Sequence, residues 1–255
     1  MNARLIRIAF LVAVLGVAAA AAVFFRANLT APERGRRLAE ANGCFGCHGP
    51  EGIRGTYNPG RDEGKVPDYE GSLMMYAETA EEVREWIRDG APKARRESTS
   101  WQEERRKGVL RMPDFGDKLP KKDIEDLVAF VLASAGLPAP EDSVVVLGRE
   151  RAHALGCFGC HGVGGRLARP NPGSLKGYVP PWDGPDFPDL VQSRAEFGEW
   201  VENGVSERFR HNAPAQFFLR RGRLHMPAYR VHLESNDVDA LWAYVTWLRT
   251  NPKAP

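Results

Sequence analysis

The chain repeats itself. Laid on itself at an offset of 113 residues, it superposes Cys44-Phe45-Gly46-Cys47-His48-Gly49 on Cys157-Phe158-Gly159-Cys160-His161-Gly162 without a mismatch. The same offset aligns Asn58-Pro59-Gly60 with Asn171-Pro172-Gly173, and Val66-Pro67 with Val179-Pro180. After a one-residue insertion the offset becomes 114, pairing Trp86 with Trp200, Gly90 with Gly204 and Met112-Pro113 with Met226-Pro227. A unit this long used twice reads as a tandem of domains, because solenoid repeats are shorter and need at least three copies. This divides the chain from residue 30 onward into residues 30–136, a short proline-containing linker at 137–142, and residues 143–255.

Within each copy the local signals are helical. Thr79 with Glu82, and Ser193 with Glu196, form capping-box patterns ahead of amphipathic stretches that end at Gly90 and Gly204. Closing helices are expected over Lys121 to Ala135 and Asn236 to Thr250, and helices around Arg34 to Ala41 and Val144 to Leu155 precede the two cysteine motifs. Nothing alternates convincingly with period two. The expected fold is all-α, two small domains whose apolar content suits a cofactor that forms part of the core.

All four cysteines fall in the two C-x-x-C-H motifs, so none is left for a disulfide framework. C-x-x-C-H is the attachment pattern of c-type haem: two thiols become thioethers to the porphyrin, and the adjacent histidine reaches the iron. Cys44, Cys47 and His48 take these roles in the first copy, and Cys157, Cys160 and His161 in the second. The expectation is two covalently attached haem c groups with iron. A thioredoxin-like pair would need a βαβ setting, and a four-cysteine zinc site would need its pairs much closer in sequence. Thirty-five Lys and Arg nearly balance thirty-three Asp and Glu, so a net charge of +2 gives no reason to invoke nucleic acid.

The opposite iron ligand decides between electron transfer and chemistry on a bound molecule. Met112 lies 68 residues after Cys44 and Met226 lies 69 after Cys157, each followed by proline and each just before the last helix of its copy. They are the expected ligands. Met74 and Met75 compete in the first copy but align with Phe187 and Pro188, and His225 is the rival beside Met226. The basic stretches Lys93 to Lys107 and Arg208 to Arg223 read as solvated faces, a docking collar for an acidic partner, or holders of haem propionates.

The order C-x-x-C-H, proline-glycine loop, Trp helix, Met-Pro and final amphipathic helix resembles the class I cytochrome c domain, over Arg34 to Gly136 and again over Val144 to Asn251. The resemblance implies that a proline carbonyl after each haem motif accepts a hydrogen bond from the proximal histidine. Pro59 and Pro172, eleven residues past their histidines, are the matches. The Gly-Pro-x-Leu order of that family is replaced here by Asn-Pro-Gly.

At the N-terminus, Arg4 and Arg7 precede eighteen residues without charge, Ile8 to Phe25. Residues 1–29 are expected to be an uncleaved membrane anchor or, alternatively, a cleaved signal segment. Either exports both haem domains to the periplasmic side, held at the outer face of the cytoplasmic membrane by an anchor or soluble in the periplasm after signal cleavage. By resemblance to membrane-anchored two-haem cytochromes, the expected function is single-electron transfer between redox proteins or membrane respiratory complexes, without enzymatic activity or a small-molecule substrate. The alternatives are a fixed subunit of a quinol-oxidising, oxidase or photosynthetic complex, or a haem enzyme or sensor should one methionine ligand be absent.

Overall fold

A computed structural model describes residues 10–18, 20, 29–70 and 73–251, without the side chain of Met74. The same order of elements occurs twice. The first half contains α1 (Ala31–Ala41), α2 (Cys44–His48), α3 (Ala80–Asp89), α4 (Thr99–Lys107) and α5 (Lys121–Ser134). The second contains α6 (Ser143–Ala154), α7 (Cys157–His161), α8 (Arg194–Asn203), α9 (Ala213–Arg221) and α10 (Asp237–Thr250), with shorter helical turns between. The strands among the described residues are β1 (Arg169–Pro170) and β2 (Tyr178–Val179), paired antiparallel; the first half has an isolated bridge, Tyr57 to Lys65, at the matching place.

Helix ends follow from the sequence. Thr79 accepts from the Glu82 amide at 3.2 Å and Ser193 from the Glu196 amide at 3.1 Å, so both capping boxes form. Both helices end on a left-handed glycine, Gly90 at φ 76° and Gly204 at φ 74°. Asp142 caps α6 through the amides of Val144 and Val145.

Each half is held together by its first helix crossing its last. At the crossing, a Cβ on Gly35 would lie 1.8 Å from the Asp126 carbonyl oxygen, and one on Gly148 2.0 Å from that of Ala240. Only glycine lets the backbones approach so closely. Beside each crossing a forked arginine reaches a buried carboxylate: Arg34 donates to Asp126 at 2.8 and 2.6 Å, and Arg151 to Asp237 at 2.6 and 2.6 Å. The inner faces supply two apolar cores, one around Ile124, Leu127, Val128 and Phe130, the other around Leu241, Tyr244, Val245 and Leu248.

The halves touch through the turn after His161. Leu167, fully buried, belongs to the core of the first half, and the turn Val163–Gly165 lies against α5. Arg169 reaches across to Glu51 at 3.8 Å.

Most of the expected anchor or signal segment lies outside the described residues. Its described part, residues 10–18, is helical with Phe10, Leu11 and Val17 exposed. Among the described residues no helix is long and apolar enough to cross a membrane.

Candidate functional site

The first half holds an open cleft with about 1330 Å³ of atom-free space, whose walls include Cys44, Cys47, His48 and Met112. A left-handed residue, Gly43 at φ 74°, starts α2, and the spacing i, i+3, i+4 puts Cys44, Cys47 and His48 on one helix face. Gly156, at φ 73°, starts α7 in the same way.

Each imidazole is fixed on two sides. His48 donates through Nδ1 to the Pro67 carbonyl at 2.8 Å and lies tilted against the Tyr69 ring, with centroids 4.8 Å apart. His161 Nδ1 lies 3.4 Å from the Pro180 carbonyl, with its ring 4.9 Å from that of Trp182. A bond from Nδ1 selects the tautomer whose Nε2 keeps its lone pair for a metal. These acceptors correct the expectation that Pro59 and Pro172 play this part. The turn after the motif has positive φ at Gly49, Glu51, Gly52 and Arg54, which sends the chain out. It returns through bonds from Val66 N to Thr56 O and from Thr56 N to Cys47 O. Pro59 therefore sits near the tip of the excursion and Pro67 on the returning limb, over the imidazole. Val66-Pro67 and Val179-Pro180 are visible in the internal alignment, so the signal is present in the sequence without its role.

The Asn-Pro-Gly loop has another job, which is to hold the methionine segment. The Asn58 amide pairs with both backbone groups of Leu110, at 3.1 and 2.9 Å, and Asn171 with those of Leu224, at 3.0 and 2.8 Å. The Pro59 carbonyl accepts from the Val109 amide at 3.1 Å, and that of Pro172 from the Arg223 amide at 3.2 Å. On the far side, a Cβ on Gly90 would meet the Met112 carbonyl at 2.9 Å, and one on Gly204 that of Met226 at 2.5 Å. Met112 and Met226 are thus each gripped between the loop and the end of the Trp helix. Trp86 and Trp200 anchor that helix through indole bonds to the carbonyls of Tyr76 and Leu190, at 3.0 and 2.9 Å.

The competitors fare differently. Met75 and His225 are exposed, whereas Met112 and Met226 pack against the same clusters as Cys44 and Cys157.

Burial pushes His48 below the ordinary histidine range, against the opposing pull of the Pro67 carbonyl. Burial likewise takes His161 down to about 4. Both rings are therefore neutral and able to donate to iron. Burial pushes the Cys44 thiol up, and that of Cys157 up to about 11. Thiol–disulfide enzymes need the opposite, a lowered thiol pKa. Among the described residues no group of three or more His, Cys, Asp and Glu could hold a bare metal ion. Two cysteines, a neutral imidazole and a thioether along one large apolar cleft suit a tethered haem.

Residues 30–131 match the family model of cytochrome c oxidase, cbb3-type, subunit III. The match supports a c-type cytochrome, and such a domain implies covalently bound haem c and haem-based electron transfer. It contains Cys44, Cys47, His48 and Met112. No curated protein and no solved structure matches the chain.

Proposed function

We propose that the chain carries two haem c groups, tethered by Cys44 and Cys47 and by Cys157 and Cys160, and passes single electrons between redox partners. His48 and Met112 ligate one iron, His161 and Met226 the other. The observation that supports this is the repetition of the methionine clamp: Asn58 grips Leu110 and Asn171 grips Leu224 with the same paired bonds, each two residues before its methionine. A bound haem supplies one-electron chemistry at its iron. The protein side holds the imidazole neutral and oriented and keeps a thioether in place on the methionine loop, with a mostly apolar cleft around both in the first half. The setting is the outer face of the cytoplasmic membrane, with residues 1–29 as anchor or export segment.

A second reading, as a fixed subunit of a terminal oxidase, draws on the description of the matching family. Mild solubilisation separates the two: a carrier leaves the membrane fraction alone, whereas a subunit co-purifies with its complex.

The deciding experiment is optical. Haem content per chain should be two, falling to one in Cys44→Ala/Cys47→Ala and in Cys157→Ala/Cys160→Ala. The reduced protein should not respond to carbon monoxide, which needs an open or readily vacated iron position. A single haem per chain would defeat the two-haem reading, and carbon monoxide binding would turn the affected site towards catalysis or sensing.

A further inference from the structure

The two halves share their tethers and clamps but differ in charge. Arg61, Lys65, Arg105 and Arg111 all line the cleft of the first half. In the second half the corresponding positions are Ser174, Tyr178, Leu219 and His225. The structure fixes this register: the bridge Tyr57 to Lys65 corresponds to the pairing of Pro170 with Tyr178. Likewise Thr99–Lys107 corresponds to Ala213–Arg221, and the Asn58–Leu110 clamp to Asn171–Leu224.

Two of the four cations are offset. Arg61 lies 3.4 Å from Glu63 and 3.7 Å from Glu104, and Lys65 lies 3.5 Å from Asp68, the carboxylate in the cleft wall. The other two have no carboxylate partner among the described residues. Arg105 lies over the Trp101 ring at 5.6 Å, and Arg111 donates to the Arg106 carbonyl at 3.3 Å. In the second half Lys176 is neutralised by the buried Asp186 at 2.6 Å, and Arg220, Arg221 and Arg223 are exposed, Arg221 lying over the Phe217 ring at 5.2 Å.

Uncompensated positive charge beside a low-dielectric cleft favours the more electron-rich state of whatever redox group the cleft holds. We infer that Arg105 and Arg111 hold the first site at a higher reduction potential than the second, so that an electron moving within the chain comes to rest on the first half. The inference rests on both halves holding haem. The exchange is one electron from the second site to the first, with no proton moved and no bond made or broken. A one-electron donor protein feeds the second half, and a one-electron acceptor protein empties the first.

The test is a potentiometric titration of the full-length, haem-loaded chain, followed optically. Two midpoints are expected. Arg105→Gln/Arg111→Gln should lower the higher midpoint by about 59 mV, a tenfold change in the reduced-to-oxidised ratio for one electron, and leave the lower in place. Leu219→Arg, which adds the missing charge to the second half, should raise the lower midpoint. If the arginine variant moves the lower midpoint, or neither, the assignment is wrong. A haem count of one per chain, read separately from the absorbance of the denatured haem, fails the two-haem reading instead.

Discussion

Asn58 and Leu110, 52 residues apart, are joined by two hydrogen bonds: the Asn58 amide donates to the Leu110 carbonyl at 3.1 Å and accepts from its N–H at 2.9 Å. Leu110 is two residues before Met112, so this pair sets where the methionine segment enters the cleft. Removing the amide strands two partly buried backbone groups, at a cost of roughly 1–3 kcal/mol. Asn58→Ala is therefore expected to weaken the methionine bond, so that the reduced first site binds carbon monoxide while the second does not. Asn171→Ala should give the reverse. Equal silence in both variants would remove the clamp from the mechanism.

Gly52 lies under the ring that supports His48. A Cβ there would fall 1.9 Å from Cδ2 of Tyr69, and the residue has φ 79°; at Gly165 the corresponding contact is 2.2 Å to Trp182. Overpacking and left-handed strain each cost roughly 1–3 kcal/mol. Gly52→Ala should lower the denaturant midpoint accordingly, and Tyr69→Ala in the same chain should recover the overpacking part. Full additivity of the two losses would count against the contact.

How far the sequence reaches is clear from particular residues. Thr79, Glu82 and Gly90 act within one helix, so their pattern alone marks its ends, and C-x-x-C-H carries its chemistry in five adjacent residues. Pro67 is harder to assign because its place over His48 depends on the turn through Glu51 and Arg54, non-glycine residues at φ 57° and 63° that nothing local announces. Arg105, within the basic stretch Lys93 to Lys107, is left open between solvated face, docking collar and propionate holder for a similar reason. Only the docking of α4 beside Trp86 brings Arg105 to the cleft, where Trp101 packs on Trp86 with centroids 6.0 Å apart.

Leu167 follows the motif of the second half yet packs into the core of the first. A charge there would be buried without a partner, whereas the second core, built on Leu241 and Val245, does not depend on it. Leu167→Asp should therefore separate the halves while each still folds. Calorimetry should show one unfolding transition divide into two, with the first half destabilised by roughly 2–4 kcal/mol. A single transition at the unchanged temperature would mean that the seam does not couple the halves.

Asp183 follows Trp182, and its Oδ1 is buried without a hydrogen-bond partner. Burial pushes its carboxyl up to about 6, against the opposing charges of Arg166 and Arg249. Because the folded state holds this proton more tightly than the unfolded chain, where the group titrates near 3.9, stability falls as pH rises from about 4 to about 6. Asp183→Asn keeps the shape and removes the charge. It should raise stability at pH 7.5 by up to roughly 3 kcal/mol and change little at pH 4, where the wild-type group is already largely protonated in the folded state. Thermal melts at the two pH values check this, because a gain of the same size at both would trace to packing and not to the proton.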